Sequence, residues 1–162
     1  MASNLFASEL VLIVTAAVLF YVAFNDLQHY KIRNELILIL AGLFFIHALV
    51  SGRWVSAHWN IAFAVLIFVV MLLLYSRHLM GGGDVKLLSV AFLWVGIDCA
   101  LPFAILLLVF AGIHSIAAKL GWADVQRADN DERNRIPFAP SIAAALIGVF
   151  MLGCLAPGHE VI

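Results

Sequence analysis

The chain has 162 residues, of which 65% are apolar and only 12% charged, with a net charge of −1 at neutral pH and a mean hydropathy of +1.08. A soluble domain is nearer half apolar and about a quarter charged, and a fold of this size could not hide so much apolar surface from water, so its solvent is largely lipid. The two cysteines, Cys99 and Cys154, form no CxxC pair and suggest neither a zinc site nor a disulfide-rich scaffold.

Six apolar runs follow in chain order. The first, Leu5 to Asn25, is broken only by Glu9. No Lys or Arg precedes it, so it reads as a retained spanning helix rather than a cleaved signal peptide. The second runs from Leu36 to Val50 and the third from Ala57 to Tyr75, with Trp54 and Trp59 where interfacial aromatics belong. The fourth, Leu87 to Ile97, is short, and a start near Gly82 or Gly83 would lengthen it. The fifth is Leu101 to Ala118 and the sixth Ile136 to Leu155. No repeat, low-complexity segment or Pro/Ser/Gly-rich linker divides the chain, so residues 1–162 read as one domain.

The basic residues give the topology. With six spans, one side receives Lys31, Arg33, Arg77, Lys86, Lys119, Arg127, Arg133 and Arg135, and the other only Arg53. Cytoplasmic loops carry the excess of Lys and Arg. The sequence therefore predicts an all-α membrane protein of six transmembrane helices with both termini on the non-cytoplasmic side. The long polar stretch, Asp124 to Arg135, mixes both signs as a solvated connector does.

Two of the ten acidic residues sit where acids are costly. Asp26 closes the first run, and Asp84 opens the fourth after Gly81, Gly82 and Gly83. Both fall on the cytoplasmic side of this topology. Alone, Asp26 reads equally as a helix end wetted by headgroups and Asp84 as an N-cap. Together, at one depth, they read as a functional pair. Two such carboxylates hydrolyse a peptide without a covalent intermediate, one ionised to take a proton from water and the other protonated to donate to the scissile carbonyl. Close carboxylates do not both ionise cheaply, so the pair holds one proton. If helix one ends at Asp26, the helix dipoles make Asp84 the base and Asp26 the acid. The glycines before Asp84 let an extended substrate backbone approach, or form a plain turn.

Other chemistry fits poorly. There is no HExxH and no GxSxG. The six histidines show no ligand spacing, so no metal or cofactor is expected. His47 and His114, inside apolar runs, read as packing or hydrogen-bonding residues. Lys31, Arg33, Arg77 and Lys86 read as snorkelling to headgroups. Cys99 and Cys154 both fall near the outer face, where a disulfide is possible and two small buried apolar residues are the favoured reading.

Three stretches resemble the prepilin peptidases, or type IV leader peptidases. Asp26-Leu-Gln-His-Tyr-Lys-Ile-Arg-Asn34 is similar to their D-x5-I-P-N element. Gly81-Gly-Gly-Asp84-Val-Lys-Leu-Leu88 resembles their GxGD element, and Ile136-Pro-Phe-Ala-Pro-Ser-Ile-Ala-Ala-Ala145 the start of their last helix. The resemblance implies a six-helix fold with Asp26 and Asp84 catalytic, and Gly81, Gly82, Gly83, Asn34 and Lys86 positioning substrate. It implies cleavage of a prepilin or pseudopilin leader at the cytoplasmic face of the bacterial inner membrane, with pilus assembly machinery as a further partner and no nucleic acid. Arg33 stands for the family's usual Pro and Ala139 for its usual Gly. The paired CxxC motifs of larger, N-methylating members are not found, which makes the chain look like the short, peptidase-only kind that serves Flp (tight-adherence) pili, without methyltransferase activity. Two rival readings are a proton-coupled transporter, with the acids as relays, and a non-catalytic subunit of a pilus or secretion assembly. A transporter of inverted repeats would show a second broken helix to match Gly81–Gly83, and the first half has none.

Overall fold

The computed structural model describes residues 2–29, 32–78, 80–120 and 138–154. Six helices account for nearly all of them: α1 Ala2–His29, α2 Asn34–Val50, α3 Trp54–Ser76, α4 Gly82–Val95, α5 Ala100–Lys119 and α6 Ala139–Met151. There is no strand among the described residues. Each apolar run of the sequence became one helix. The stretch Asp124 to Arg135 lies outside the described residues, as do Lys31 and both ends of the sixth run.

Local chemistry sets the helix ends. α1 continues to His29, three residues past Asp26, because nothing in Leu27-Gln28-His29 breaks a helix. α4 starts at Gly82, so Asp84 stands in its first turn, and the capping position belongs to Gly81 rather than to Asp84. It ends at Gly96, whose φ of 63° is left-handed and whose missing Cβ leaves room for the Asn60 side chain of α3. In α5, Pro102 falls in the first turn, where an N–H would have no partner in the helix.

Three helices, α1, α3 and α5, are long and apolar enough to cross a membrane. Of the six expected spans, three are thus long enough among the described residues to cross a membrane unaided. α2, α4 and α6 have 17, 14 and 13 residues, or about 26, 21 and 20 Å at 1.5 Å per residue, against about 30 Å of hydrocarbon. The difference follows from what surrounds each helix. Only 11% of the α3 span and 6% of the α5 span are buried in protein, so these two face outward and must match the bilayer. α4 and α6 are inner helices. α4 packs on α2, α3, α5 and α6, and α6 packs on α1, α4 and α5. A helix surrounded by other helices need not reach both headgroup layers itself.

The interior is held by close packing. Trp94 of α4 is 1% exposed and packs edge-on or tilted against Phe44 and His47 of α2 and Phe150 of α6, with ring centroids 5.8, 5.4 and 5.5 Å away. Its indole N–H donates to the Leu40 carbonyl at 3.0 Å. Phe92 joins Phe63 of α3 to Phe103 of α5 in the same manner. α6 contributes small buried residues, Ala139, Ser141, Ala143 and Ala145, which let α1 and α4 come close on either side. Buried Thr15 and Ser89 donate to carbonyls one turn back in their own helices, so neither needs a partner from another helix.

At one end of the bundle, Cys99 in the α4–α5 turn is bonded to Cys154, beyond α6, as a disulfide with Cα atoms 6.2 Å apart. The reading of two unpaired apolar residues is corrected here. The turn that ends α4 and the end of α6 converge, and each brings a cysteine.

Candidate active site

The opposite end of the bundle gathers the last turn of α1 and the starts of α2, α4 and α6. Asp26 is 4% exposed, a depth at which a carboxyl needs a partner. That partner is the N–H of Ala139, which donates to Asp26 Oδ2 at 3.2 Å. The sequence of α6 explains why this donor is available. A helix leaves its first N–H groups without internal partners. In α6, Pro140 has none to offer, and the N–H groups of Ser141 and Ile142 both reach the Phe138 carbonyl, at 3.1 and 3.3 Å. The Ala139 N–H is left, and Asp26 takes it.

This contact removes the basis for dividing the roles by helix ends. Asp26 lies near the C-terminal end of α1, but its carboxyl also meets the N-terminal end of α6, and Asp84 stands in the first turn of α4. Both acids therefore see a helix end that favours negative charge. The backbones of α1 and α4 make no direct contact, and α2 and α6 each touch both. The two carboxyls are nevertheless near enough to repel one another electrostatically.

The glycines are crowded by the protein's own groups. A Cβ on Gly81 would lie 2.9 Å from Asp84 Oδ2. One on Gly82 would meet the Tyr75 ring and one on Gly83 the Ile32 side chain, each at 3.3 Å. Gly81 thus makes room for the carboxyl of Asp84, and its two successors let α4 start against α3 and the α1–α2 connection.

Asn34, the first residue of α2, accepts a hydrogen bond at 3.0 Å from Lys86 Nζ of α4. Both side chains are exposed, and their bond ties the two helix starts together. Lys86 is therefore held by a side chain instead of reaching out alone, and Arg33 is ion-paired with Glu35. Arg33 occupies φ −72° and ψ 131°, within the range a proline would hold, so its replacement of Pro leaves the turn into α2 unchanged. Ala139, in place of Gly, is fully buried beneath Asp26. Among the described residues no cluster of His, Cys, Asp and Glu could hold a metal ion.

One residue of this end escaped the sequence reading. His114 of α5 lies within electrostatic range of the Asp26 carboxyl. Its Nε2 is buried and has no hydrogen-bond partner among the described residues. A histidine in an apolar run was a signal, but nothing in the sequence tied it to Asp26.

A buried acid and a half-buried one where α1 meets the starts of short helices, in an all-helical bundle with long apolar helices, describe a membrane protein built around an acidic site. The sequence matches the type IV leader peptidase family over residues 13–118, and the chain belongs to that family. Its class is accordingly that of a protease acting on leader peptides. No curated protein and no solved structure matches the chain.

Proposed function

We propose that this protein is an aspartyl endopeptidase that removes the leader of prepilin or pseudopilin substrates at the cytoplasmic face of the inner membrane, with Asp26 and Asp84 activating the water. The observation that carries this reading is the convergence of the two carboxyls, from helices that do not touch, to within electrostatic range of each other. Of the two, Asp26 is the ionised partner, because the Ala139 N–H and the start of α6 stabilise its charge. Asp84 is the protonated one, since two neighbouring carboxylates share a proton more cheaply than they both ionise.

Asp26 takes a proton from water as the water oxygen bonds to the scissile carbonyl carbon, and Asp84 gives its proton to the carbonyl oxygen. The resulting diol collapses. The carbon–nitrogen bond breaks, the proton on Asp26 goes to the leaving amine, and Asp84 recovers one from a diol hydroxyl. Asn34 and Lys86 hold the leader beside the pair, and Gly81 leaves the Asp84 carboxyl room to reach it. The reading includes six membrane-crossing helices with both termini outside the cytoplasm. The eight-to-one split of basic residues supports that orientation, as does a disulfide at the end away from the acids, since disulfides persist on the oxidising side of a membrane. The reading also includes Flp-type pilins as substrates, and no N-methylation.

The test is cleavage of a tagged prepilin in membranes, followed by mass spectrometry of the new terminus. Wild type should cut and leave an unmethylated terminus, while Asp26→Asn and Asp84→Asn at matched expression should not cut. Cleavage by either variant removes the dyad, and a silent wild type on several pilins favours a transporter or an assembly subunit.

A further inference from the structure

His114 presents a problem that packing does not solve. It sits on α5, a helix otherwise apolar from Ala100 to Ala118 apart from Ser115, and only 6% of that span is buried in protein. Its Nε2 is nevertheless sealed from solvent and meets no acceptor or donor among the described residues. Where neither water nor a protein partner satisfies it, a ring nitrogen is costly, and more so at membrane depth. Five residues separate His114 from Lys119, the last of α5, and three separate Asp26 from His29, the last of α1. At 1.5 Å per residue these are about 7.5 and about 4.5 Å from the same end of the bundle. α6 stands between the two helices and packs on both. Its first turn is Ala139-Pro140-Ser141, and across it His114 lies within electrostatic range of the Asp26 carboxyl.

We propose that His114 is a positioning residue for Asp26, with its Nε2–H donating through one bridging water to the carboxylate oxygen that does not receive the Ala139 N–H. The proposal rests on the reading of Asp26 as the base. A buried water bridging otherwise unsatisfied groups is the ordinary remedy for an orphaned nitrogen. Here it also fixes the second oxygen. The Ala139 N–H alone holds Asp26 at one point and leaves rotation about that point free. A second donor from the far side of α6 sets the plane of the carboxylate, and so the direction in which it accepts a proton from the attacking water. Nδ1 is left to the other tautomeric role.

The experiment compares steady-state cleavage of a tagged prepilin by wild type, His114→Phe and His114→Gln, with Asp26→Asn and Asp84→Asn alongside and thermal unfolding followed in micelles. Phe keeps the ring and loses the donor. Gln keeps a donor at similar reach. His114→Phe should lower kcat by about tenfold to a hundredfold, the scale of a misplaced catalytic group, with KM and the unfolding temperature unchanged, and His114→Gln should recover most of the loss. In protein labelled with 15N-histidine, the Nε2 resonance of His114 should move in Asp26→Asn and stay in Asp84→Asn. If wild type cuts, both Asp→Asn variants are dead and His114→Phe cuts as wild type does, His114 has no such role and the dyad stands. If Phe and Gln lose activity equally, or only in step with stability, the role is structural and the proposal is overturned. If Asp26→Asn still cuts, the dyad reading fails and the proposal with it. Should His114→Phe not fold, His114→Gln and the resonance decide.

Discussion

The backbone N–H of Ala139 donates to the carboxylate of Asp26 across 113 residues of sequence. Through this bond the start of α6 is seated on the last turn of α1, and a buried acid gains a partner that no other helix offers among the described residues.

Removing the acceptor therefore has a structural cost separate from its catalytic one. Asp26→Asn can turn its amide oxygen toward the N–H, and should unfold within a degree or two of wild type. Asp26→Leu leaves the N–H buried and unpaired, which costs about 1–3 kcal/mol. Thermal unfolding in detergent should separate the two variants, while neither should cut prepilin. Equal stability would mean that the bond contributes nothing to the seating of α6.

Gly81→Ala places a methyl group 2.9 Å from Asp84 Oδ2. The carboxyl must rotate away, and cleavage should fall by about a hundredfold for a displacement of about 1 Å. Gly42, in the middle of α2, has nothing within 4 Å of its missing Cβ. Gly42→Ala should leave cleavage unchanged and stabilise the protein by about 0.5–1 kcal/mol. Activity and unfolding measured on both variants would check the contrast.

Arg33 already has the backbone angles of a proline. Arg33→Pro gives up an exposed ion pair with Glu35, worth little, and restricts the unfolded chain. The net change should be a stabilisation of at most about 1 kcal/mol, with cleavage retained. A loss of cleavage would show that the guanidinium itself handles substrate.

The disulfide closes a loop between residues 55 positions apart in the sequence. In the chain-entropy account such a link stabilises by about 4 kcal/mol. Cys99→Ser and Cys154→Ser should each lower the unfolding temperature as much as the double variant does, and dithiothreitol should do the same to wild type. Additive losses would mean that the two sulfurs act independently.

Much of this fold was legible because apolar runs and helix ends are local properties. The runs located six helices, Gly81–Gly83 marked the start of α4, and the two acids stood out as charges at the edges of apolar segments. What stayed hidden depends on which helices become neighbours. Asp26 meets Ala139 because α6 lies against α1, and Pro140, which brings no N–H to the first turn of α6 and leaves that of Ala139 to a neighbour, shows its meaning only once that neighbour is known. Cys99 and Cys154 pair because α4 and α6 end together. α4 and α6 are shorter than a bilayer because they sit inside, and hydropathy does not tell an inner helix from an outer one. Arg33 kept the geometry of the proline it replaces, which its identity alone could not show.

The Cys99–Cys154 link joins the far ends of the two helices whose near ends hold the acids, Asp84 in α4 directly and Asp26 through Ala139 of α6. The link therefore fixes the separation of those far ends, so that the two helices holding the site cannot part at that end. In the proposed orientation, the disulfide thus constrains the two helices that hold the acids from the side of the bilayer opposite the substrate. With that orientation, a newly made chain would lock these two helix ends together only after thiol oxidation on the non-cytoplasmic side.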